Sequence, residues 1–301
     1  MMKKSWVSLI ALLGATAVHA TVLVSEHFAT SVNTAATNSW TAIAKYVDNT
    51  TIGVASVLQT GGLSYENGAT VTGIDGLKAS ARDGYLYNGQ NVANRFTKSL
   101  NSTINFSEGS TLYFSAIIGG AARANFGLGN VTETNFPTTL VSMGIQPQNS
   151  TTEIGYPNMF SSSVWTGDSS QADDGNGIAI GNNKWENRYL LIGKIVNNAG
   201  GLDEISYHLI NLTNSAVSVD VPDTWSDTAL SGAQYYSRTD YDFGGDLVFS
   251  NLVVDLQNHT SLDEIYFGTE YADVIPEPVT IGLLGMAAGS LLVYKRVRFH
   301  L

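Results

Sequence analysis

Cysteine is absent from all 301 residues. That excludes disulfides, zinc–thiolate centres, iron–sulfur clusters and a cysteine nucleophile. Cations are scarce: 15 Lys and Arg stand against 26 Asp and Glu, a formal net charge of −11. A broad basic face for nucleic acid is therefore excluded as a partner surface. Between the two ends, no run of ten or more residues shows a helical period with caps, so a strand-then-helix phosphate loop has nowhere to form. What remains is apolar enough to fold. Hydrophobic residues reach 44%, which excludes wholesale disorder.

The two ends differ from everything between them. Residues 1–20 begin with Lys3 and Lys4, continue through a mostly apolar stretch from Trp6 to Leu13, and end on Val18-His19-Ala20. The apolar stretch is too short for ~30 Å of hydrocarbon. Charge, apolar run and small-residue site in that order predict an export signal for the Sec machinery, cut after Ala20. A cut after Ala17, using Ala15-Thr16-Ala17, is the other reading. At the far end, Pro276-Glu277-Pro278 precedes an uncharged stretch over 279–294, and residues 295–301 carry Lys295, Arg296 and Arg298. Sixteen helical residues reach about 24 Å, with Tyr294 and the cations placed at the interface. A basic end after an apolar run stays on the cytoplasmic side. The expected intermediate is therefore anchored in the membrane by its last helix.

This rigid Pro-Glu-Pro neck, single apolar span and basic close, over 276–301, resemble the PEP-CTERM sorting tail. The resemblance implies recognition by exosortase, a membrane-embedded transpeptidase-like enzyme, at Pro276, Glu277 and Pro278. It implies delivery of the body to the cell surface or its release outside. Physically, two prolines remove two backbone donors and block helix at the membrane boundary, leaving an extended segment to grip.

With both ends set aside, the body over 21–275 holds ten cations and 25 acids, net −15. Its length fits one large β-sandwich. The clearest strand is Arg188 to Val196: Tyr189, Leu191, Gly193 and Ile195 fall on one face, Leu190, Ile192, Lys194 and Val196 on the other. Both faces are largely apolar, which predicts a central strand covered on two sides. Asn197-Asn198-Ala199-Gly200-Gly201 supplies turn chemistry, and Leu202 to Ile210 returns, predicting a hairpin. Further strands are predicted at Val22–Phe28, Leu100–Phe106, Thr111–Ile118, Leu247–Leu256 and Glu264–Gly268. Leu202-Asp-Glu-Ile205 recurs as Leu262-Asp-Glu-Ile265, which reads as two strands that each open on exposed acids.

The Tyr189–Ile195 strand, its Asn/Gly turn and return, with Leu262–Gly268 and Ala272-Asp273-Val274, look like the concanavalin A-like or laminin G-like modules of exported bacterial proteins. That resemblance implies an all-β, antiparallel two-sheet jelly roll. It carries no activity.

Catalytic patterns are sparse. A sandwich glucanase needs carboxylates two residues apart on one strand face, and no E-x-D-x-x-E occurs. His27, His208 and His259 are the body's histidines, and no G-x-S-x-G accompanies them. His208, mid-strand, reads as packed or surface-exposed. Cofactors are expected to be none, with calcium the one inorganic ligand that has support. Asp240, Asp242 and Asp246 surround two glycines, and Asp168 with Asp173-Asp174-Gly-Asn176 forms a second acidic loop. For sugar stacking, the candidates are Trp165, Trp185 and Trp225, with Tyr235, Tyr236 and Tyr241 in loop-like segments. The leading expectation is a non-enzymatic, exported surface or matrix protein among extracellular polysaccharide. A carbohydrate-binding lectin-like module and a sandwich glycoside hydrolase are the alternatives.

Overall fold

A computed structural model describes residues 22–26, 40–42, 58–60, 70–72, 84–87, 93–119, 124–130, 139–147, 155–161, 188–213, 218–257 and 260–275. These form an all-β molecule of two antiparallel sheets. The larger, eight-stranded sheet contains β1 (Val22–Glu26), β3 (Leu58–Thr60), β5 (Gly84–Tyr87), β7 (Thr111–Gly119), β11 (Arg188–Val196), β12 (Asp203–Asn211), β14 (Gln234–Tyr241) and β16 (Ser261–Gly268). Its order is β14-β12-β11-β7-β16-β5-β3, with β1 also paired to β16. The six-stranded sheet runs β10 (Gly155–Ser161), β9 (Thr139–Pro147), β8 (Ala124–Asn130), β15 (Leu247–Gln257), β6 (Ala93–Phe106), β2 (Trp40–Ala42). A short parallel pair joins β13 (Ser218–Asp220) to β4 (Thr70–Thr72).

The β11–β12 hairpin forms as the alternation predicts, from Tyr189 opposite Asn211 to Val196 opposite Glu204. Gly200 takes φ +67° in its turn, a conformation that a side chain disfavours. The side chains of Tyr189, Leu191 and Ile195 enter the core between the sheets. There Phe114 of β7 meets Phe126 of β8 edge-on at 5.9 Å, and Phe126 meets Phe267 of β16 at 6.0 Å. The Tyr207 hydroxyl donates across the sandwich to the Gly144 carbonyl at 3.0 Å, so even a polar group in this core is satisfied. Gly193 makes room for the cluster, because a Cβ there would lie 2.3 Å from the Phe114 ring. Lys98 of β6 and the buried Glu26 of β1 form an ion pair between the sheets.

The opposite face of the larger sheet is also covered. Ile117, Leu190, Ile192 and Ile210 point away from the first core and are buried under a strap, residues 218–233, and a 3-10 turn at Tyr271–Val274. Leu212, Val219 and Val221 complete this second core, with Leu230 and Ala233 packed against it. The Ser115 hydroxyl donates to the Val274 carbonyl at 2.7 Å, which ties the turn to β7. This is why both faces of β7 and β11 are apolar.

The repeated Leu-Asp-Glu-Ile segments depart from expectation. Asp203, Asp263 and Glu264 are buried rather than exposed. Both segments lie where strand pairing slips register, between Asp203 and Ile205 against β14 and between Asp263 and Tyr266 against β7. Glu264 adopts φ +51°, and the Tyr266 hydroxyl donates to its carboxylate at 2.9 Å. Each slip turns acids inward at a β-bulge, which simple alternation does not anticipate. The export signal with Ala20, and the tail with Pro276, Glu277, Pro278, Lys295, Arg296 and Arg298, lie outside the described residues. Among the described residues, no helix is long and apolar enough to cross a membrane.

Candidate functional site

Strand pairing on the outer face of the larger sheet brings together residues far apart in sequence. Tyr113 of β7 stands opposite Lys194 of β11, and Lys194 opposite Ser206 of β12. His208, two residues on, shares that face and stands opposite Tyr235 of β14. The strap then lays Trp225 over them. Its ring centroid lies 4.9 Å from His208, 6.4 Å from Tyr113, 6.4 Å from Tyr235 and 5.8 Å from Tyr271. Tyr113 and Tyr271 meet edge-on at 5.8 Å. Trp225 and Tyr235 remain half-exposed, so an aromatic surface reaches solvent at the centre of the group.

Charge surrounds the rings. Asp227 is the hub: its Oδ1 accepts from the Lys194 ammonium at 2.7 Å and from the Trp225 indole N–H at 2.6 Å. Lys194 also lies 3.4 Å from the Glu204 carboxylate and 5.8 Å from the Trp225 ring centroid. The hydrogen bonds from Lys194 and Trp225 hold the Asp227 carboxyl below the usual range. For Lys194, burial pulls downward, but the hydrogen bond to Asp227 and the pull of Glu204 outweigh it, leaving the ammonium raised. Burial raises the Tyr113 phenol, with Lys194 opposing and Glu270 and Asp227 adding to it. Burial also raises Tyr271, and nearby Asp223 reinforces it.

His208 lies beneath this surface with 1% of its area exposed. Its Nε2 is 2.9 Å from the Ser226 carbonyl, and a carbonyl only accepts, so Nε2 carries the proton. Nδ1 is buried with no hydrogen-bond partner. Burial holds the imidazole below its ordinary value, so it is a neutral post under the strap.

The acidic glycine loop lies elsewhere, at one end of the sandwich. The Asp242 carboxylate accepts from the Gly244 amide at 2.8 Å, and Asp246 accepts from the Glu108 amide at 2.9 Å. Gly244 and Gly245 take φ +79° and +97°. Asn197 donates to the Gly245 carbonyl at 2.8 Å and to Phe106 at 3.2 Å. Buried Asp203 accepts from the amides of Asn198, at 2.7 Å, and Phe243. Asp242 and Asp246 thus hold main-chain amides in a knot of three turns. Asp240 is the penultimate residue of β14, and its carboxylate is outside the described side chains. Among the described residues, no group of three or more His, Asp or Glu is placed to hold a metal.

Of the stacking candidates, Trp225 stands at the aromatic surface, while Trp165 and Trp185 lie outside the described residues. Tyr235, Tyr236 and Tyr241 belong to strand β14 rather than to loops, and Tyr236 points into the first core beside Tyr207. Sequence reasoning did not single out Tyr113, Lys194, Asp227 or Tyr271 as site residues. The visible signal was a polar Lys194 and a polar-tipped Tyr113 interrupting otherwise apolar outer faces.

No known protein family matches the chain, and no curated protein matches it. The chain is similar to several solved structures, three of which follow. A PL-14 alginate lyase from Aplysia kurodai aligns over 62% of this chain and 83% of its own, at 10% identity and a TM-score of 0.34. A protein with a galectin-like fold from Bacillus subtilis aligns over 83% and 96%, at 6% identity and 0.34. The CBM2 module of an evolved Dit protein from Lactobacillus casei BL23 phage J-1 aligns over 78% and 98%, at 8% identity and 0.28. Scores this low bear on neither mechanism nor ligand, and the site is read from its own residues.

Proposed function

We propose that this chain is an exported, non-catalytic β-sandwich that holds polysaccharide outside the cell on the outer face of its larger sheet. The observation that carries the reading is the Trp225 surface: a half-exposed indole beside half-exposed Tyr235, flanked by the polar groups of Asp227 and Lys194. A sugar ring presents an apolar face to stack and hydroxyls to hydrogen-bond, and this surface offers both partners. The same segment is braced from below by His208, Tyr113 and Tyr271, so its geometry is set before any ligand arrives. Asp263 and Glu264 of β16 are fully buried, where a glycosidic bond cannot reach them.

Export, membrane insertion and exosortase processing at Pro276-Glu277-Pro278 belong to the same proposal and rest on the order of features at the two ends. The concanavalin A-like jelly roll is proposed as the form of the sandwich. Calcium at Asp240, Asp242 and Asp246 is proposed only as a brace for the end turns. The deciding experiment is affinity electrophoresis of the full chain, in mild detergent, through gels containing polysaccharides. Wild type is retarded by at least one of them, and Trp225→Ala migrates freely while keeping its circular dichroism spectrum. Equal migration of the two proteins in every gel removes the reading. Delivery is tested separately, by deleting 276–301 and fractionating cells: the shortened protein leaves the membrane fraction, and identical partitioning refutes the sorting tail.

A further inference from the structure

Among the described residues, the Trp225 surface carries an excess of negative charge that Lys194 does not cancel. Asp227 is 64% exposed at its side chain, and Asp223 and Glu270 are also exposed. Asp223 lies two residues before Trp225 on the strap, and Glu270 is the residue immediately before Tyr271 at the start of the 3-10 turn, so both belong to the segments that carry the aromatic group. Glu204 adds a fourth carboxylate. Lys194, the cation at this surface among the described residues, is half-buried and already held by Asp227 and Glu204. A ligand approaching the half-exposed indole therefore meets carboxylates and a π-face, both of which attract cations.

We infer that the Trp225 surface selects polysaccharides bearing free amino groups over those bearing carboxylates, with Asp227 as the selecting residue. The inference rests on the glycan-binding reading above. A protonated sugar amine gains from the indole face and from the exposed oxygen of Asp227. A uronic acid placed in the same position is repelled by Asp223, Asp227 and Glu270 together. The domain's net charge of −15 adds to the discrimination at long range. Neutral sugars keep the stacking and lose the charge attraction, so they fall between.

The test compares three oligosaccharides of equal length against the full chain in mild detergent, by calorimetry at low salt. The probes are a glucosamine hexamer with its amines protonated, its N-acetylated counterpart and a galacturonate hexamer. The expected order is free amine first by about tenfold, then N-acetyl, with no binding of the uronate. Asp227→Asn keeps the Oδ1 acceptor for Lys194 and Trp225 and removes the charge. It is expected to weaken binding of the free amine more than that of the N-acetylated chain, so that the two affinities converge. Salt at 0.5 M is expected to compress the same difference. Equal binding of amine and N-acetyl forms, tighter binding of the uronate, or no change in Asp227→Asn overturns the selectivity and leaves the glycan reading standing. Failure of all three probes to bind overturns the selectivity, and retention in the polysaccharide gels then decides the glycan reading.

Discussion

The larger sheet has two coats, and they are built on opposite terms. Between the sheets, strand meets strand: Phe114, Phe126 and Phe267 interlock, and the polar Tyr207 hydroxyl finds a carbonyl across the gap. On the outer face, strand meets strap. Aliphatic residues such as Ile192 and Ile210 are buried at its centre, but its rim is Trp225, Asp227, Lys194 and a lone buried histidine. The first coat is a packing solution that buries nearly everything it touches. The second gives up complete burial and keeps an aromatic and charged surface in contact with water. A protein that needed only to be stable would close both faces in the first manner, so the strap is the region to search for function.

The contrast is broken most severely from the inside. Phe114→Ala removes a fully buried ring that touches Phe126, Tyr207 and Phe267. Its expected cost is about 3–5 kcal/mol in urea denaturation. Trp225→Ala removes a larger side chain, yet one that is half-exposed and mounted on the strap. Its expected cost is only about 1–2 kcal/mol, with polysaccharide retention lost entirely. If Trp225→Ala proved as damaging to stability as Phe114→Ala, the strap would be part of the structural core and the comparison would fail.

A third prediction concerns acid. Burial holds folded His208 below the ordinary histidine value of 6.5. The unfolded chain therefore takes up a proton first as pH falls. Stability is full above 6.5 and declines below it, until the folded imidazole is protonated as well. The charge acting on the ring is that of Asp227, with Tyr235 and Trp225 tilted against it and the Ser226 carbonyl accepting the Nε2–H hydrogen bond. Melting temperature should fall between pH 7.5 and 5.5 in wild type, and His208→Gln, which retains an N–H donor, should flatten that slope. An unchanged slope would mean that other groups govern the acid response.

The two coats were not equally legible in sequence. The β11–β12 hairpin could be read from alternation and its Asn/Gly turn, and β7, β15 and β16 from β-branched and aromatic runs. Strands β8, β9, β10 and β14 escaped, as did the short β2, β3, β4, β5 and β13. Ala124-Asn-Phe-Gly-Leu-Gly-Asn130 is rich in poor strand formers, and its flanking neighbours β15 and β9 impose the extended state. Gln234 to Tyr241 looks like a polar loop, yet it completes the edge beside β12. The site was harder still. Tyr113, Lys194, Trp225 and Tyr271 span most of the folded body in sequence, and only the pairing of β7 with β11, together with the strap, makes them neighbours. Periodicity can place Lys194 on a face but cannot say which strand lies beside it. The buried acids of the two Leu-Asp-Glu-Ile segments were hidden for a related reason: a bulge changes which way a side chain points without leaving a clear mark in composition.

The smallest expected effect sharpens the comparison furthest. Lys194 is tied to Asp227 and Glu204 at the water boundary, with Asp227 largely exposed. Such pairs contribute about 0–1 kcal/mol, because water screens the attraction and the side chains lose freedom in forming it. A double-mutant cycle of Lys194→Met and Asp227→Asn should therefore give a coupling of less than about 1 kcal/mol, shrinking further in 0.5 M salt. The ion pair between Lys98 and buried Glu26, at the margin of the inner coat, provides the control. Glu26 has less water to fall back on when its partner is removed, so its cycle should exceed that of the outer pair and resist salt. Were the outer pair the stronger and the less salt-sensitive, Lys194 and Asp227 would be structural fasteners rather than polar groups free to exchange partners with a ligand.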